Sequence, residues 1–565
     1  MNRAVEDTVN TEYDVLVIGG GIYGACVARD AALRGLHVVL LEKGDFGHAT
    51  SSNSHKIIHG GLRYLQHGNF PRMRESIQER RTLVRIAPHL VKPMPFLIPT
   101  YQHIGAKKFL LRLALLANDI IACDRNRDLP KSAHFPASRI MSNKQSLAHC
   151  SVMNQSKLTG GAYYYDAQVH NSERLLLSML QSAHGEGATI LNYVNVTQLL
   201  VSYGSVIGVC AEDMLTHAQM EIRAKCVVNC GGPWVARLGA LSSSASVPFH
   251  VPLLKAVVLV TDSIVDRVAL GVPSTHSYVD ADAVMNKGCR YFFITPWRNR
   301  SLVGTFQSRY DGNPDDLCVT EKEIEAHIKE VNESLPGVKL TRSDVHLVNC
   351  GLLPRNEIAD VTADVQLAKH SVIYDHETMG DVKGMVSVNG VKFTTARAVA
   401  EKAVDLVCQK LGKKGVPCTT ATVPVYGGDM TCHDDVLQQA MAQKPGNLSQ
   451  ESVQHIVATY GSQFSKIFQY CLDGTKLSSP ITTDVPTIQA EVVHSVRKEM
   501  AQTLSDVVFR RTELGTVGYP GSKCLQQCVT LMAQEMKWDE SRVQRELYET
   551  NEEYERRGAS PCMRN

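Results

Sequence analysis

The chain lacks the marks of several protein classes. No run of about 18 apolar residues occurs, which excludes a helix long enough to span a membrane. Charge of one sign is missing too: 59 Lys and Arg face 57 Asp and Glu, a formal net charge of +2. That leaves no electrostatic footprint for nucleic acid as a partner. The sixteen cysteines contain no C-x-x-C spacing. The pairs Cys226/Cys230, in an apolar strand-like run, and Cys524/Cys528, one helical turn apart, read as small buried hydrophobes rather than zinc ligands or disulfides. No metal cluster, repeat or low-complexity stretch stands out. Met1–Glu12 is polar and lacks the apolar stretch of a secretory leader. With this cysteine usage, a reducing cytoplasm is the expected compartment.

What is present is a globular composition, 44% apolar over 565 residues, too long for a single core and suited to two or three domains. Near its start the chain reads Tyr13-Asp-Val-Leu-Val-Ile-Gly19-Gly-Gly21-Ile-Tyr-Gly24, then a helical stretch, then His37-Val-Val-Leu-Leu41-Glu42. A strand, a G-x-G-x-x-G turn, a helix, a second strand and a terminal acid form a dinucleotide fingerprint. Gly19 permits the tight turn, Gly21 the approach of a pyrophosphate, and Gly24 close packing of helix on sheet. The helix start offers N–H groups and a positive dipole end to phosphates. Glu42 is placed to accept hydrogen bonds from an adenosine ribose.

Apolar runs ending in Asn and Gly return at Ala224–Trp234 and Gly384–Gly390, as expected where strands stop beside a cofactor. The nucleotide domain is therefore read as discontinuous. Val251–Ser263 and Tyr291–Phe306 suit strands of a second, antiparallel sheet. Thr420–Gly428, with Pro424 and Gly427-Gly428, reads as a linker. Beyond Asp429 the chain turns helical and charged, with Asp539 a fitting N-cap. The fold expected is α/β: a Rossmann-like dinucleotide-binding domain (about 1–100, 150–240 and 345–425), an antiparallel-sheet substrate domain (about 100–150 and 240–345) and a helical C-terminal domain (429–565). Lys107–Ile121 is apolar, with Lys107, Lys108 and Arg112 near its start. It is either an amphipathic core helix or a helix lying in a bilayer interface.

The loop after Glu42-Lys43 carries Thr50-Ser51-Ser52 and then His59-Gly60-Gly61-Leu62-Arg63-Tyr64-Leu65. Hydroxyls, small residues and a glycine pair at this place suit a bound flavin better than a dissociable nicotinamide. Together with Asn229-Cys-Gly-Gly-Pro-Trp234, Ile294-Thr-Pro-Trp297 and Gly390-Val-Lys-Phe-Thr-Thr-Ala-Arg397, these motifs resemble the FAD-dependent glycerol-3-phosphate dehydrogenases, within the superfamily of the D-amino-acid oxidases. The tail around Phe509–Gly515 and Met536–Glu546 resembles that family's helical C-terminal domain, so the similarity spans nearly the whole chain.

The resemblance implies oxidation of a secondary alcohol, glycerol 3-phosphate to dihydroxyacetone phosphate, with hydride transfer to FAD. Electrons then pass to a membrane quinone, or to oxygen in the oxidase branch. Peripheral contact with the inner face of the membrane and a homodimer belong to the same expectation. It implies FAD contacts from Gly19, Gly21, Gly24, Glu42 and Lys43, and from Thr50, Ser51, Ser52, His59, Gly60 and Gly61. Further contacts are implied for Gly231 and Trp234, and for Gly390, Val391, Lys392 and Phe393. Arg63 and Lys392 are the expected cations for a phosphate or alkoxide, and Tyr64 adds a hydroxyl donor. His59 is a candidate base or a positioner of the flavin.

Three segments depart from the family pattern. Lys255-Ala256-Val257-Val258 stands for Lys-Gly-Ser-His, Gly304-Thr305-Phe306-Gln307 for Gly-Thr-Thr-Asp, and Gly351-Leu352-Leu353-Pro354 for Gly-Val-Arg-Pro. Arg355 is the available replacement for the missing arginine. Either the pocket has become more apolar or these segments are matched out of register. The alternative activities are an FAD-dependent oxidase or dehydrogenase of an amine, amino acid or other hydroxy compound. A flavin-binding scaffold without catalysis is the alternative outside enzymes.

Overall fold

The computed structural model describes the chain except residues 103–107, 242–249, 278–288, 357–365, 381, 414, 473–475, 484 and 560–565. Strand β1 (Glu12–Ile18) is buried on both faces through Val15, Leu16, Val17 and Ile18, as a parallel strand requires. It runs between β2 (Val38–Leu41) and the strand Gln219–Asn229, parallel to both. Met385–Asn389 and Thr189–Leu191 extend this parallel core outward on its two sides. The turn after β1 is as tight as the glycines suggest. Gly19 has φ +102°, and a Cβ on Gly24 would lie 1.9 Å from the Gly19 carbonyl oxygen. Helix α1 (Ile22–Leu33) can therefore lie close to the sheet, packed against the helices Ser172–Gly185 and Ala396–Lys410. From β1 the chain crosses to β2 on one side, and Gln219–Asn229 later pairs on the other. That opens a crevice at the carboxyl ends of the strands.

A second sheet follows the order Val345–Pro354, Leu253–Asp262, Arg300–Tyr310, Cys289–Trp297, Ala269–Ser277, Val91–Tyr101, Leu158–Val169, Ile57–Ile58. Its pairings are antiparallel apart from Ala269–Ser277 with Val91–Tyr101. Val91–Tyr101, Leu158–Val169 and Val345–Pro354 thus belong to this sheet, although their sequence positions fall largely in stretches expected for the nucleotide domain. An alternating or apolar run identifies a strand, but not the sheet it joins. The helix Glu321–Ser334, started by a Thr320/Glu323 capping box, buries Ile324, Ile328 and Val331 against Val257 and Leu259 on one face. The opposite face of this sheet, with Ala256 and Val258, turns toward the crevice.

Helices from His433 to Arg556 form the C-terminal region. The last, Glu540–Arg556, is capped by Asp539, whose side chain accepts the Arg542 N–H at 2.8 Å. Val507, Val508 and Phe509 pack on Val260, Leu302 and Leu347 of the second sheet. The stretch 420–428 contains no helix or strand, yet it is anchored. The buried Arg29 of α1 donates to the carbonyls of Thr420, Val423 and Pro424. Cys226, Cys230, Cys524 and Cys528 are buried free thiols. Among the described residues no group of His, Cys, Asp and Glu is arranged to hold a metal.

His89 shows what burial does to a base. It is buried, neither ring nitrogen has a hydrogen-bond partner among the described residues, and burial pushes it from 6.5 down to about 3, helped by His433, Arg174 and Lys92. The folded protein holds it neutral, while the unfolded chain takes up a proton below its ordinary value. Stability should therefore fall as pH drops from about 6.5 toward 3, by up to ~1.4 kcal/mol per pH unit from this group. Denaturant melts at pH about 7, about 6 and about 5 should lose less stability in His89→Leu than in the parent. Equal slopes would refute the assignment.

Candidate active site

The crevice between the sheets is one cavity of about 1170 Å³. At one end lies the glycine turn, with Gly19, Gly21, Glu42 and Lys43. Gly231 and Trp234 stand beside it, and Thr50 and Ser51 come from the following loop. At the other end lie His59, Gly61, Tyr64, Val391, Lys392 and Phe393, with Gly390 at their start. Gly24, Ser52 and Gly60 stand behind the lining. Ser52 donates to the Gly47 carbonyl at 2.6 Å, and the Gly60 N–H donates to Asp166 at 2.6 Å. The side chain of Arg63 lies outside the described residues. Arg355 is not in the lining: Nε donates to the Leu253 carbonyl at 3.2 Å and Nη2 reaches Asp311 at 3.4 Å. Those acceptors hold its guanidinium at the outer edge of the sheet, so it does not stand in for an arginine at position 353.

The turn end is braced by side chains. Glu42 accepts the N–H groups of Gly20 at 2.6 Å and Gly44 at 2.9 Å, which fixes the end of β2 against the turn. Ser51 Oγ accepts the Ile22 N–H at 3.0 Å, at the start of α1. Thr50 Oγ1 exchanges hydrogen bonds with the backbone of Leu352, tying the loop to the second sheet. At the mouth, Lys43 Nζ stands 3.7 Å from the Trp234 ring centre. Asp315 binds Lys43, Trp234 Nε1 and Arg237 at 2.9, 2.8 and 3.0 Å.

The far end depends on Tyr23, one of the variable positions within the glycine motif. Its hydroxyl donates to the Lys392 carbonyl at 2.8 Å and accepts the N–H groups of Val391 and Lys392 at 3.1 and 3.0 Å. Gly390 makes room for the ring, because a Cβ there would lie 2.0 Å from it. The helix-start residue Tyr23 thus sets the backbone on which Lys392 stands. Lys392 Nζ lies 4.1 Å from the Tyr64 ring centre, and the Arg72 guanidinium carbon lies 4.5 Å from the same centre. His59 meets Tyr64 edge-on at 6.0 Å. Burial, with the cations Lys392, Arg72 and Arg80, pushes His59 from 6.5 down to about 3. His55, 3.2 Å from Thr295 Oγ1, is also held near 3 by burial. Both imidazoles are neutral at ordinary pH. Behind them Asp166 is bound by Arg80, and burial raises its carboxyl.

A dinucleotide fits this lining. The helix start supplies the N–H groups that a phosphate takes, and the cavity continues from there past the glycine turn to the cations at Tyr64. The comparisons with known proteins agree. A family profile described as FAD dependent oxidoreductase matches residues 14–406, and one described as the C-terminal domain of alpha-glycerophosphate oxidase matches residues 418–543. A glycerol-3-phosphate dehydrogenase of Synechocystis is 35% identical over 91% of this chain and 91% of its own length. The chain belongs to the glycerol-3-phosphate dehydrogenase family of FAD-dependent oxidoreductases. A mitochondrial relative from Mesocricetus auratus is 31% identical, covering 95% of this chain and 72% of the relative. The X-ray structure of the Bacillus halodurans glycerol-3-phosphate dehydrogenase complexed with FAD shares the fold, with TM-score 0.74 and 24% identity over 98% of this chain and 97% of that one.

The three departures from the family pattern all fall on the cavity floor. Ala256, Val258, Thr305, Gln307, Gly351 and Leu353 line it. They are neighbours in the sheet: Ala256 pairs with Gln307 and Gly351, Val258 with Gly304, and Leu254 with Leu353. Lys255 points the other way, to Glu323 at 2.7 Å. The floor is therefore uncharged where His, Asp and Arg were expected. The residues missed by sequence reasoning are Tyr23, Arg72, Arg80, Asp166 and Asp315. Only Tyr23 carried a sequence signal, its place inside the glycine motif.

Gly390→Ala must push the Tyr23 ring out of its seat and unlock the 390–393 turn. Purified Gly390→Ala should hold markedly less flavin than the parent, read as the ratio of flavin to protein absorbance. Tyr23→Phe, which keeps the ring and loses the hydroxyl clamp, should fall between them.

Proposed function

We propose that this protein oxidises sn-glycerol 3-phosphate to dihydroxyacetone phosphate, passing the electrons through FAD to a membrane quinone. The reading is carried by one cavity that joins a dinucleotide turn to a cationic end at Tyr64, in a chain whose relatives are named for this activity. FAD supplies a two-electron acceptor for the hydride of a secondary alcohol carbon. The chain supplies position and charge. Gly19, Gly21, Glu42, Thr50 and Ser51 would hold the nucleotide part, and Gly61 with the 390–393 turn would bracket the ring. Lys392 would face the substrate as a point charge with Tyr64 as hydroxyl donor. The neutral His59 would position groups at the ring. A base whose conjugate acid titrates near 3 has little drive to take an alcohol proton.

Anaerobic mixing of the yellow holoprotein with glycerol 3-phosphate should bleach the flavin within turnover time, and a quinone analogue should restore it far faster than air. Bleaching by amino acids or 2-hydroxy acids but not by glycerol 3-phosphate would overturn the substrate. Reoxidation mainly by oxygen, with peroxide formed, would overturn the acceptor.

Contact with a membrane surface belongs to the same reading. Helix α2 (Phe70–Ile86) is followed by α3 (Lys108–Ile121), and Lys107 of the expected segment lies outside the described residues. Leu115 of α3 is buried, as a core helix requires. Its outer face, however, exposes Leu113, Leu116 and Ile120 by 44, 57 and 64%, with Arg112 beside them. An exposed apolar stripe with a basic residue suits a bilayer interface. No helix among the described residues is long and apolar enough to cross a membrane. The parent should float with anionic liposomes at low salt, and Leu116→Glu/Ile120→Glu should stay at the bottom with its flavin intact. Equal flotation would remove this stripe from the contact.

A further inference from the structure

We propose that Asp315 is a clasp that retains FAD: it joins the two lips of the cavity at the nucleotide end, and the cofactor leaves when this carboxylate lets go of them. The proposal rests on FAD as the cofactor and is independent of the substrate. The lips come from strands on opposite sides of β1. Lys43 follows β2, next to the Glu42 that braces the glycine turn, while Trp234 and Arg237 follow the strand Gln219–Asn229. Two strands that flank a third stand about 10 Å apart, so side chains must span the gap. Lys43 Nζ lies 3.7 Å from the Trp234 ring centre. Asp315 then binds both lips at once. Its Oδ1 accepts from Lys43 at 2.9 Å and from Trp234 Nε1 at 2.8 Å, and its Oδ2 accepts from Arg237 at 3.0 Å. All four residues line the cavity.

Asp315 belongs to neither lip. It comes from the second sheet, on the single turn Pro314–Asp316 between the strand Arg300–Tyr310 and the helix Glu321–Ser334. Local contacts shape that turn. Pro314 fixes φ at its first position. The Asn313 side chain accepts the Asp315 N–H at 3.2 Å, and the Tyr310 hydroxyl donates to the Asn313 carbonyl at 2.6 Å. The carboxylate is thus held across the crevice from the opposite domain. Burial acts to raise it, but Lys43, Trp234 and Arg237 outweigh burial and keep it below its ordinary value, hence ionised. The side chains of Lys43, Asp315 and Arg237 are 36, 39 and 72% exposed. Ion pairs this exposed contribute little to folding and are screened by salt. The junctions that hold the fold are of another kind, such as the buried pair Arg174–Glu499. An exposed three-way junction suits a contact that opens and closes. The dinucleotide fingerprint places the nucleotide between these same lips, at the carboxyl ends of the strands, so a link across the lips is a link across its exit.

The test follows FAD leaving the holoprotein, read as exchange of bound FAD for isotope-labelled FAD supplied in excess. Asp315→Ala should speed exchange on the order of 3- to 30-fold, as the loss of three exposed contacts predicts. Asp315→Asn keeps an acceptor for Trp234 without the charge and should fall between. Raising the ionic strength should speed exchange in the parent and act much less on Asp315→Ala. Lys402→Ala, which breaks an exposed ion pair with Glu75 away from the cavity lining, should match the parent in both rate and salt response. Parent-like exchange in Asp315→Ala, or a salt response as large as the parent's, would overturn the clasp. If Asp315→Ala cannot be recovered as holoprotein, Arg237→Ala removes the most exposed strut and carries the same comparison: faster exchange supports the clasp, and parent-like exchange refutes it. No glycerol 3-phosphate enters the assay, so the result stands whichever substrate the protein oxidises.

Discussion

A single buried carboxylate holds the architecture together. Asp45 follows β2 on the loop that leads to the cavity, and it accepts hydrogen bonds from Arg510 at 2.5 Å and from Arg511 at 2.7 Å on each oxygen. Asn192 adds a donor at 3.2 Å. Two guanidinium groups hold its carboxyl well below the usual carboxylate range despite full burial. A buried ion cluster of this kind adds little net stability against an apolar equivalent, but removing one partner costs about 3–5 kcal/mol, because a charge is then left unpaired in the interior. The consequence is specificity of docking. These contacts tie the C-terminal helices to the start of the loop that supplies Thr50, Ser51 and His59.

The same logic recurs across the junction. Arg174 reaches Glu499, and Arg298 reaches Glu513 at 2.7 Å. Each pair joins the α/β body to the C-terminal region. Among its described residues the helical tail carries no lining residue of the cavity, yet it holds the loop that does. Its contribution to the site is positional: a rigid support keeps polar groups aimed without reorganisation when a ligand arrives.

Within the cavity, charge is divided by wall. The helix side and the 390–393 turn present Arg72 and Lys392 across Tyr64, while the sheet side presents aliphatic residues and Gln307. Clustered cations attract an anion, and an apolar floor strengthens their effect. The sheet supplies shape and an apolar surface, and the helix start and the 390–393 turn supply charge.

The residues of β1, the glycine turn and β2 were legible from the chain alone, because a parallel strand, a turn needing positive φ and a close helix–sheet contact each demand particular residue types in a local order. The lining residues of the motifs at 59–64 and 390–393 were legible for the same reason. So was the Asp539 cap, since capping acts over three residues. Arg72, Asp315 and Asp45 were not, because each acquires its meaning from partners far along the chain: Lys392 for the first, Trp234 for the second, Arg510 and Arg511 for the third. The sheet membership of Val91–Tyr101 and Leu158–Val169, and the outward turn of Arg355, were hidden likewise. Sequence periodicity states which face of a segment is apolar, and only the packed fold decides what that face meets.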